Sequence, residues 1–546
     1  MKEKKNNRNL LTGVIITVAV TVIAVFGAFI HEPWFDEAQA YVVARDASLH
    51  DILFYLPHYE GHPPLWHLIL KAALIFGLPY ELTLKGVQFI LFEIVIIIIE
   101  FRAPYSKTAK ILIPMSFFIL YQYCIISRPY ILLMLASLLV AMCYKERKNK
   151  PVPYILTLIL LCLTHSYGIA FAGGIVIGDI LGDCIRGKSF KKSASDIIKN
   201  RKMFVCYIIL LVFASFVIID IMPHADTYAI NTVHSNKHSL PVILFFSWFL
   251  IPSENFFTSF SSEMSSMQQE VNPIGEVISA FLISLLIWSE LFLICKKRRM
   301  IVEMIVPYFF ISILTSTYIY PHHFGIFLIY FLFILWIAED KEPVTFKAYA
   351  SLMKKAGLTE KITKMLAVIA AGLYVCINLY WNGMSYYYDM KYPYDPSREI
   401  AEWIKKYDLC DKKFLVLWTG DDTNMYTLGS TGANAYFEKN IFYNMHDGLA
   451  YVTHIVPDEK EYKMDIDYMR SQGAPDFILC GSPSAIVPVK EKLGIDENYI
   501  AVALEARGER IFKDKTCNVD VYMMCTKETY KEVYGREYEV PTYKKS

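Results

Sequence analysis

Apolar runs of membrane-crossing length recur through the first 384 residues of this 546-residue chain, separated by short charged connectors. A stretch of about 20 apolar residues matches the hydrocarbon thickness of a bilayer, and a soluble fold has no use for a long series of them. Composition agrees: 55% of the residues are hydrophobic, 20% are charged and the mean hydropathy is +0.33. The chain reads as a polytopic membrane protein of mainly α class. A net charge of +1 offers no surface for nucleic acid; the charge is sorted along the chain instead.

The runs fall at about 10–30, 64–77, 82–101, 109–126, 128–143, 153–166, 168–184, 203–222, 241–257, 276–295, 301–320, 324–338 and 365–384. The first follows MKEKKNNRN, exceeds a secretory apolar region in length and lacks a small-residue cleavage site, so it is expected to be a retained span with a cytoplasmic N-terminus. The connectors KERKNK (145–150), RGKSFKKSASDIIKNRK (186–202), KKRR (296–299) and the lysine-rich stretch 341–364 are cytoplasmic by the positive-inside rule. Parity between them requires one of the four runs before KERKNK not to cross. Run 64–77, the shortest there and interrupted by Lys71, is the partial or re-entrant one. Run 241–257 contains Pro252 and is expected along the interface. The count is then eleven full spans, with 11–13 as the range, and residues 31–63, 223–275, the PHHFG turn (321–325) and everything beyond about 385 face outward.

The expected organisation is a transmembrane catalytic domain over 1–384 and a small extracytoplasmic α/β domain over 385–546. In the tail, REIAEWIKKY has the pattern of an amphipathic helix, while FLVLW (414–418), FILC (477–480) before the turn GSPS, and VYMMC (521–525) read as short strands. Cysteines within the apolar runs, such as Cys124, Cys143 and Cys162, behave as small hydrophobes. Cys410, Cys480, Cys517 and Cys525 lie in the tail, where export would let them pair, and none has zinc spacing.

The first outer loop is the richest in chemistry. HEPWFDEAQAYVVARD (31–46) holds four acidic residues and Arg45 just after a span, and residues 37–46 read as a short helix on the interface. Adjacent Asp36 and Glu37 would supply one carboxylate to take a proton and one to hold structure or substrate; a solvated helix cap is the plainer alternative. EGHPPLWH (60–67) puts His62 at a proline-fixed turn, either a ligand contact or a turn with interfacial Trp66. SRPY (127–130) contains Arg128, the only basic residue between Lys110 and Lys145, followed by Tyr130. An arginine at membrane depth costs about 2.5–3.5 kcal/mol, so it faces an anion in a polar cavity or snorkels to the headgroups. THSYG (164–168) and YPHHFG (320–325) place His165, His322 and His323 at outer turns. Each is weak alone, but all converge on one edge with Asp36, His62 and Arg128. Glu93, inside run 82–101, is an acid in need of a partner.

The order of an N-terminal span, DEAQAYVVARD, GHPPLWHL and FRAPYSKTAKILIPMSFFILYQYCIISRPYILLML resembles the bacterial GT-C glycosyltransferases, the superfamily of the protein O-mannosyltransferases and lipid A aminoarabinose transferases. The likeness covers about residues 10–185, and the later spans by layout. It implies a GT-C-type membrane domain, a hexosyl- or pentosyltransferase activity on the outer face of the cell membrane, and a polyprenyl-phosphate sugar as donor. The acceptor would be a cell-envelope glycan, glycolipid or protein. Under it Asp36 is the general base on the acceptor hydroxyl and Glu37 its neighbour in the motif. His62 stands where related transferases often have lysine or histidine before the paired prolines, facing the donor phosphate, and Arg128 is a second phosphate contact. With Arg45, Tyr130, His165, His322 and His323 these form the expected substrate-binding set. A phosphate diester leaves readily, so a base and in-line positioning suffice, with inversion expected. No nucleotide loop is present, no cofactor is implied, and no ligand spacing indicates metal dependence. The alternative is a transporter or flippase of lipid-linked saccharides, which calls for broken helices and polar residues at mid-membrane rather than at one face.

Overall fold

The computed structural model describes residues 2–186, 189, 199–227, 239–257, 274–315, 321–344, 353–355, 357–416, 431–445, 450, 451, 455, 459–512 and 515–539. The basic connector 186–202, the loop 223–275, the end of run 301–320 and the lysine-rich stretch 341–364 lie partly outside them, as does the end of FLVLW.

Seven helices among the described residues are long and apolar enough to cross a bilayer: Leu10–Ile30, Tyr80–Phe101, Ser166–Ile185, Arg201–Asp220, Leu240–Phe257, Ile274–Lys297 and Glu360–Lys391. Leu65–Phe76, Tyr130–Tyr144, Pro151–Cys162 and Ile301–Leu314 are shorter apolar helices. Large apolar side chains such as Leu211, Val212 and Ile219 point outward from these helices, as they do where the surroundings are lipid. The chain is a membrane protein. Helix Phe324–Lys341 is buried around almost its whole circumference, which places it at the centre of the bundle.

Two apolar runs depart from simple spans, and a third departs from its expected place. Run 64–77 forms a helix of nine residues, Leu65–Ala73, and a 3-10 turn, Leu74–Phe76, together about 18 Å against a hydrocarbon core of about 30 Å. Its Lys71 donates to the carbonyls of Ala44 and Ala47, which tie it to the end of helix Phe35–Asp46. Run 109–126 divides into Lys107–Leu112, a 3-10 turn Ile113–Met115, a π-helical turn Phe118–Gln122 and an irregular stretch up to Pro129. Pro114 and Ser116 interrupt it, and irregular backbone at membrane depth persists only where protein buries it, as it does here. Run 241–257, expected along the interface, has the length and hydropathy of a span, with helix Leu240–Phe249 giving way to Ile251–Phe257 just ahead of Pro252.

Helix Glu360–Lys391 runs without a break across the boundary expected at 384. Beyond it, helix Ser397–Lys406 matches REIAEWIKKY. The sheet has the order β1-β2-β4-β3, with β1 (Phe414–Val416) parallel to β2 (Phe477–Cys480), and β4 (Lys515–Cys525) antiparallel to β2 and β3 (Ala501–Phe512). β3, in which apolar and charged residues alternate from Leu504 to Glu509 as in a strand with one wet face, is not among the expected strands. The tail cysteines Cys410, Cys480, Cys517 and Cys525 are all unpaired.

Candidate active site at the loop end of the bundle

Helix Phe35–Asp46 begins with Asp36 and Glu37 in its first turn. Consecutive helical residues point about 100° apart, so these two carboxylates have different surroundings. Glu37 is fully buried. It accepts the Trp34 amide at 3.1 Å, closing the helix as a cap, and the Ser127 amide at 2.6 Å. Asp36 stays partly open and pairs with Arg128 at 2.8 Å. Two adjacent acids thus engage two adjacent residues of SRPY across 90 residues of chain. The buried bond fixes the irregular backbone and the half-open ion pair sits beside it. Glu37 positions; Asp36 faces the cluster.

Behind Glu37 lies a network the sequence does not announce. His31 sits between the carboxylates of Glu37, at 3.3 Å, and Asp389, at 3.1 Å, and Tyr121 of the π-helical turn donates to Asp389 at 3.0 Å. Burial alone would lower the His31 pKa, but the two carboxylates outweigh it and push it up to about 9. Lys85 donates to the His31 carbonyl at 2.7 Å. The first loop is therefore fixed to the end of the last membrane helix by a buried imidazolium.

The histidines converge. His62 and His165 lie with ring centroids 4.3 Å apart, Tyr130 stacks on His165 at 5.3 Å, and His322 and His323 each lie 5.8 Å from Tyr130. His165 caps helix Ser166–Ile185, its Nδ1 accepting the Tyr167 amide at 3.2 Å, which assigns the proton to Nε2. That Nε2, the Nδ1 of His62 and the Nε1 of Trp34 are buried without a partner in the protein. Burial, with the Arg128 charge as a further cause, holds His62 and His322 at about 3 and His165 and His323 well below the usual histidine range. All four are neutral at physiological pH, so the cluster's positive charge comes from guanidinium groups.

No known protein family matches this chain, and no curated protein matches it.

Of the expected substrate-binding set, His62, His165, His322 and His323 gather around Tyr130, and Arg128 links that group to Asp36. Arg45 does not join them. It lies nine residues along the helix, about 14 Å from Asp36, and its guanidinium binds Asp46 at 2.6 Å and the carbonyls of Asn434 and Phe437. Arg45 joins the membrane part to the C-terminal part. Arg398 does the same, bridging Glu32 at 2.9 Å and Glu81 at 2.8 Å. The loop helix, expected on the interface, is instead buried along most of its length. Among the described residues no group of three or more His, Cys, Asp or Glu side chains is arranged to hold a metal ion.

Proposed function

We propose that this chain is a GT-C-type glycosyltransferase of the cell membrane, moving a sugar from a polyprenyl-phosphate donor to a cell-envelope acceptor on the outer face. The N-terminus is then cytoplasmic and the C-terminal α/β part extracytoplasmic. The observation that carries this reading is the half-open Asp36–Arg128 pair amid neutral histidines. Asp36 takes the proton of the acceptor hydroxyl as its oxygen attacks the anomeric carbon. The bond from that carbon to the phosphate oxygen breaks, and the lipid phosphate leaves with the electron pair and one more negative charge. Arg128 stabilises that charge; a guanidinium has five N–H donors, enough to hold a carboxylate and a phosphate together. Neutral His62 and His165 add hydrogen bonds to the phosphate oxygens without competing for protons. Attack opposite the phosphate inverts the anomeric centre.

The test compares envelope glycans by mass spectrometry in cells lacking the protein and in cells given back the wild type or Asp36→Asn. Loss of a sugar that the wild type restores and Asp36→Asn does not, at equal membrane abundance, is the expected result. Loss of a general base lowers turnover about 10²- to 10⁴-fold. Full restoration by Asp36→Asn removes the mechanism.

A further inference from the structure

β3 and β4 pair along their whole length, from Ala501 with Cys525 to Phe512 with Lys515, whereas β4 pairs with β2 only at Tyr522, Met523 and Met524. The remainder of the hairpin is therefore a two-stranded arm of roughly 20 Å projecting from the sheet. A lone two-stranded ribbon is marginally stable and needs a support. This arm rests on the segment just after helix Glu360–Lys391, where the Glu509 amide donates to the Pro393 carbonyl at 2.7 Å. At Gly508 the approach is so close that a Cβ would lie 2.8 Å from Pro396 and 2.9 Å from Asp395, which excludes any other residue without displacing the arm.

Arg510 follows two residues later. Its guanidinium lies 4.4 Å from the centre of the Trp34 ring, and Trp34 stands two residues before Asp36. Its Nη2 meets Cys517 across the hairpin at 3.8 Å, while its Nε is buried without a partner in the protein. Stacking on an indole fixes a guanidinium while leaving its edge N–H groups to an anion. We propose that Arg510 is the second anion-binding residue of the site, so that the C-terminal arm and the SRPY segment hold one lipid-borne phosphate between two guanidinium groups. This deepens the functional reading above and rests on it. Burial first, then Arg128 and then Arg510 hold His322 at about 3, which puts both cations within electrostatic reach of the same ring. The lipid donor is thereby bound by two parts of the chain at once, and the C-terminal part completes the site.

The experiment uses the full-length protein in nanodiscs and measures binding of a polyprenyl monophosphate, the uncharged polyprenol of equal length, and inorganic phosphate. The wild type is expected to prefer the lipid phosphate over the polyprenol. Arg510→Gln should lose at least tenfold of that preference and Arg510→Lys part of it, since lysine keeps the charge without the planar stack. Arg507→Gln, on the same arm but exposed and paired with Glu505, should lose none. Wild-type preference that depends on Arg128 but is untouched in both Arg510 variants overturns this inference and leaves the functional reading standing. A wild type indifferent to the phosphate overturns both. Inorganic phosphate binding as tightly as the lipid overturns the assignment to a lipid-borne group.

Discussion

Helices Tyr130–Tyr144 and Ser166–Ile185 carry charged or ionisable clusters at both ends, and the two clusters are assembled differently. At the far end Arg147 binds Asp179 at 2.9 Å, Arg186 binds Asp183 at 2.8 Å, Lys148 also pairs with Asp183, and Arg186 with Glu303. Three cations there face three anions, although one oxygen of Glu303 is buried without a hydrogen-bond partner. At the loop end Arg128 and Arg510 lie by a group of four buried histidines, with Asp36 paired to Arg128 and Glu60 within electrostatic reach of His62. Buried histidine nitrogens there lack partners. An ion network holds helices together, whereas buried ring nitrogens without a protein partner are where a proposed ligand would be met.

This contrast breaks if the ends respond alike to removal of a carboxylate. Asp36→Asn should stop sugar transfer with little change in thermal midpoint. Asp179→Asn should do the opposite, because it leaves Arg147 facing a neutral amide in a nearly buried position. Breaking such a pair costs about 3–5 kcal/mol. Unfolding by detergent titration reads the loss, and transfer activity should fall only with the folded fraction. An Asp179→Asn protein of unchanged stability and lost activity would move the functional site to the wrong end.

The sequence anticipates that Asp36, His62, Arg128, His165 and His322 share one end of the bundle, because the charge bias of the connectors sorts the turns into two sets. Apart from the resemblance, it could not separate Asp36 from Glu37: their neighbours come from residues 127 and 128, and local pattern carries no record of that contact. Arg45 looked like a site residue on proximity in the chain, yet a helix carries it about 14 Å away. Arg510 gave no signal at all, since it is one of four charged residues from Glu505 to Arg510 on one strand and only the fold brings it onto Trp34. His31 was visible at the end of the first span, but its meaning needs Asp389, 358 residues on. Run 109–126 read as one span because hydropathy does not register a π-helical turn.

The His31 network is a buried charge cluster at the loop end. His31 faces Glu37, Asp389 and the edge of Tyr394. Its pKa rises from 6.5 to about 9 on folding, so its stabilising contribution is complete below pH 6.5 and is lost as pH climbs through 9. The difference in stability between wild type and His31→Gln should therefore shrink between pH 6.5 and 9.5, by about 3 kcal/mol at most. Thermal unfolding of both proteins across that range measures it. A difference constant with pH would mean that His31 is neutral in the fold.

The smallest effect belongs between the two ends. Glu93, the acid whose partner the sequence left unnamed, accepts the Thr21 hydroxyl at 2.9 Å from the first span. Among the described residues no cation pairs with it, so it tests whether mid-span polarity in this bundle serves packing alone. Hydrogen bonds between membrane helices average about 0.6 kcal/mol, because the unfolded chain in a membrane also finds partners. Thr21→Val and Glu93→Gln, alone and together, should show a coupling of about that size and no change in transfer. A coupling above about 3 kcal/mol, or loss of activity in either single variant, would make Glu93 part of a polar path through the bilayer. That result would favour a transporter, whose function needs polar groups at mid-membrane, over an enzyme that works at one edge.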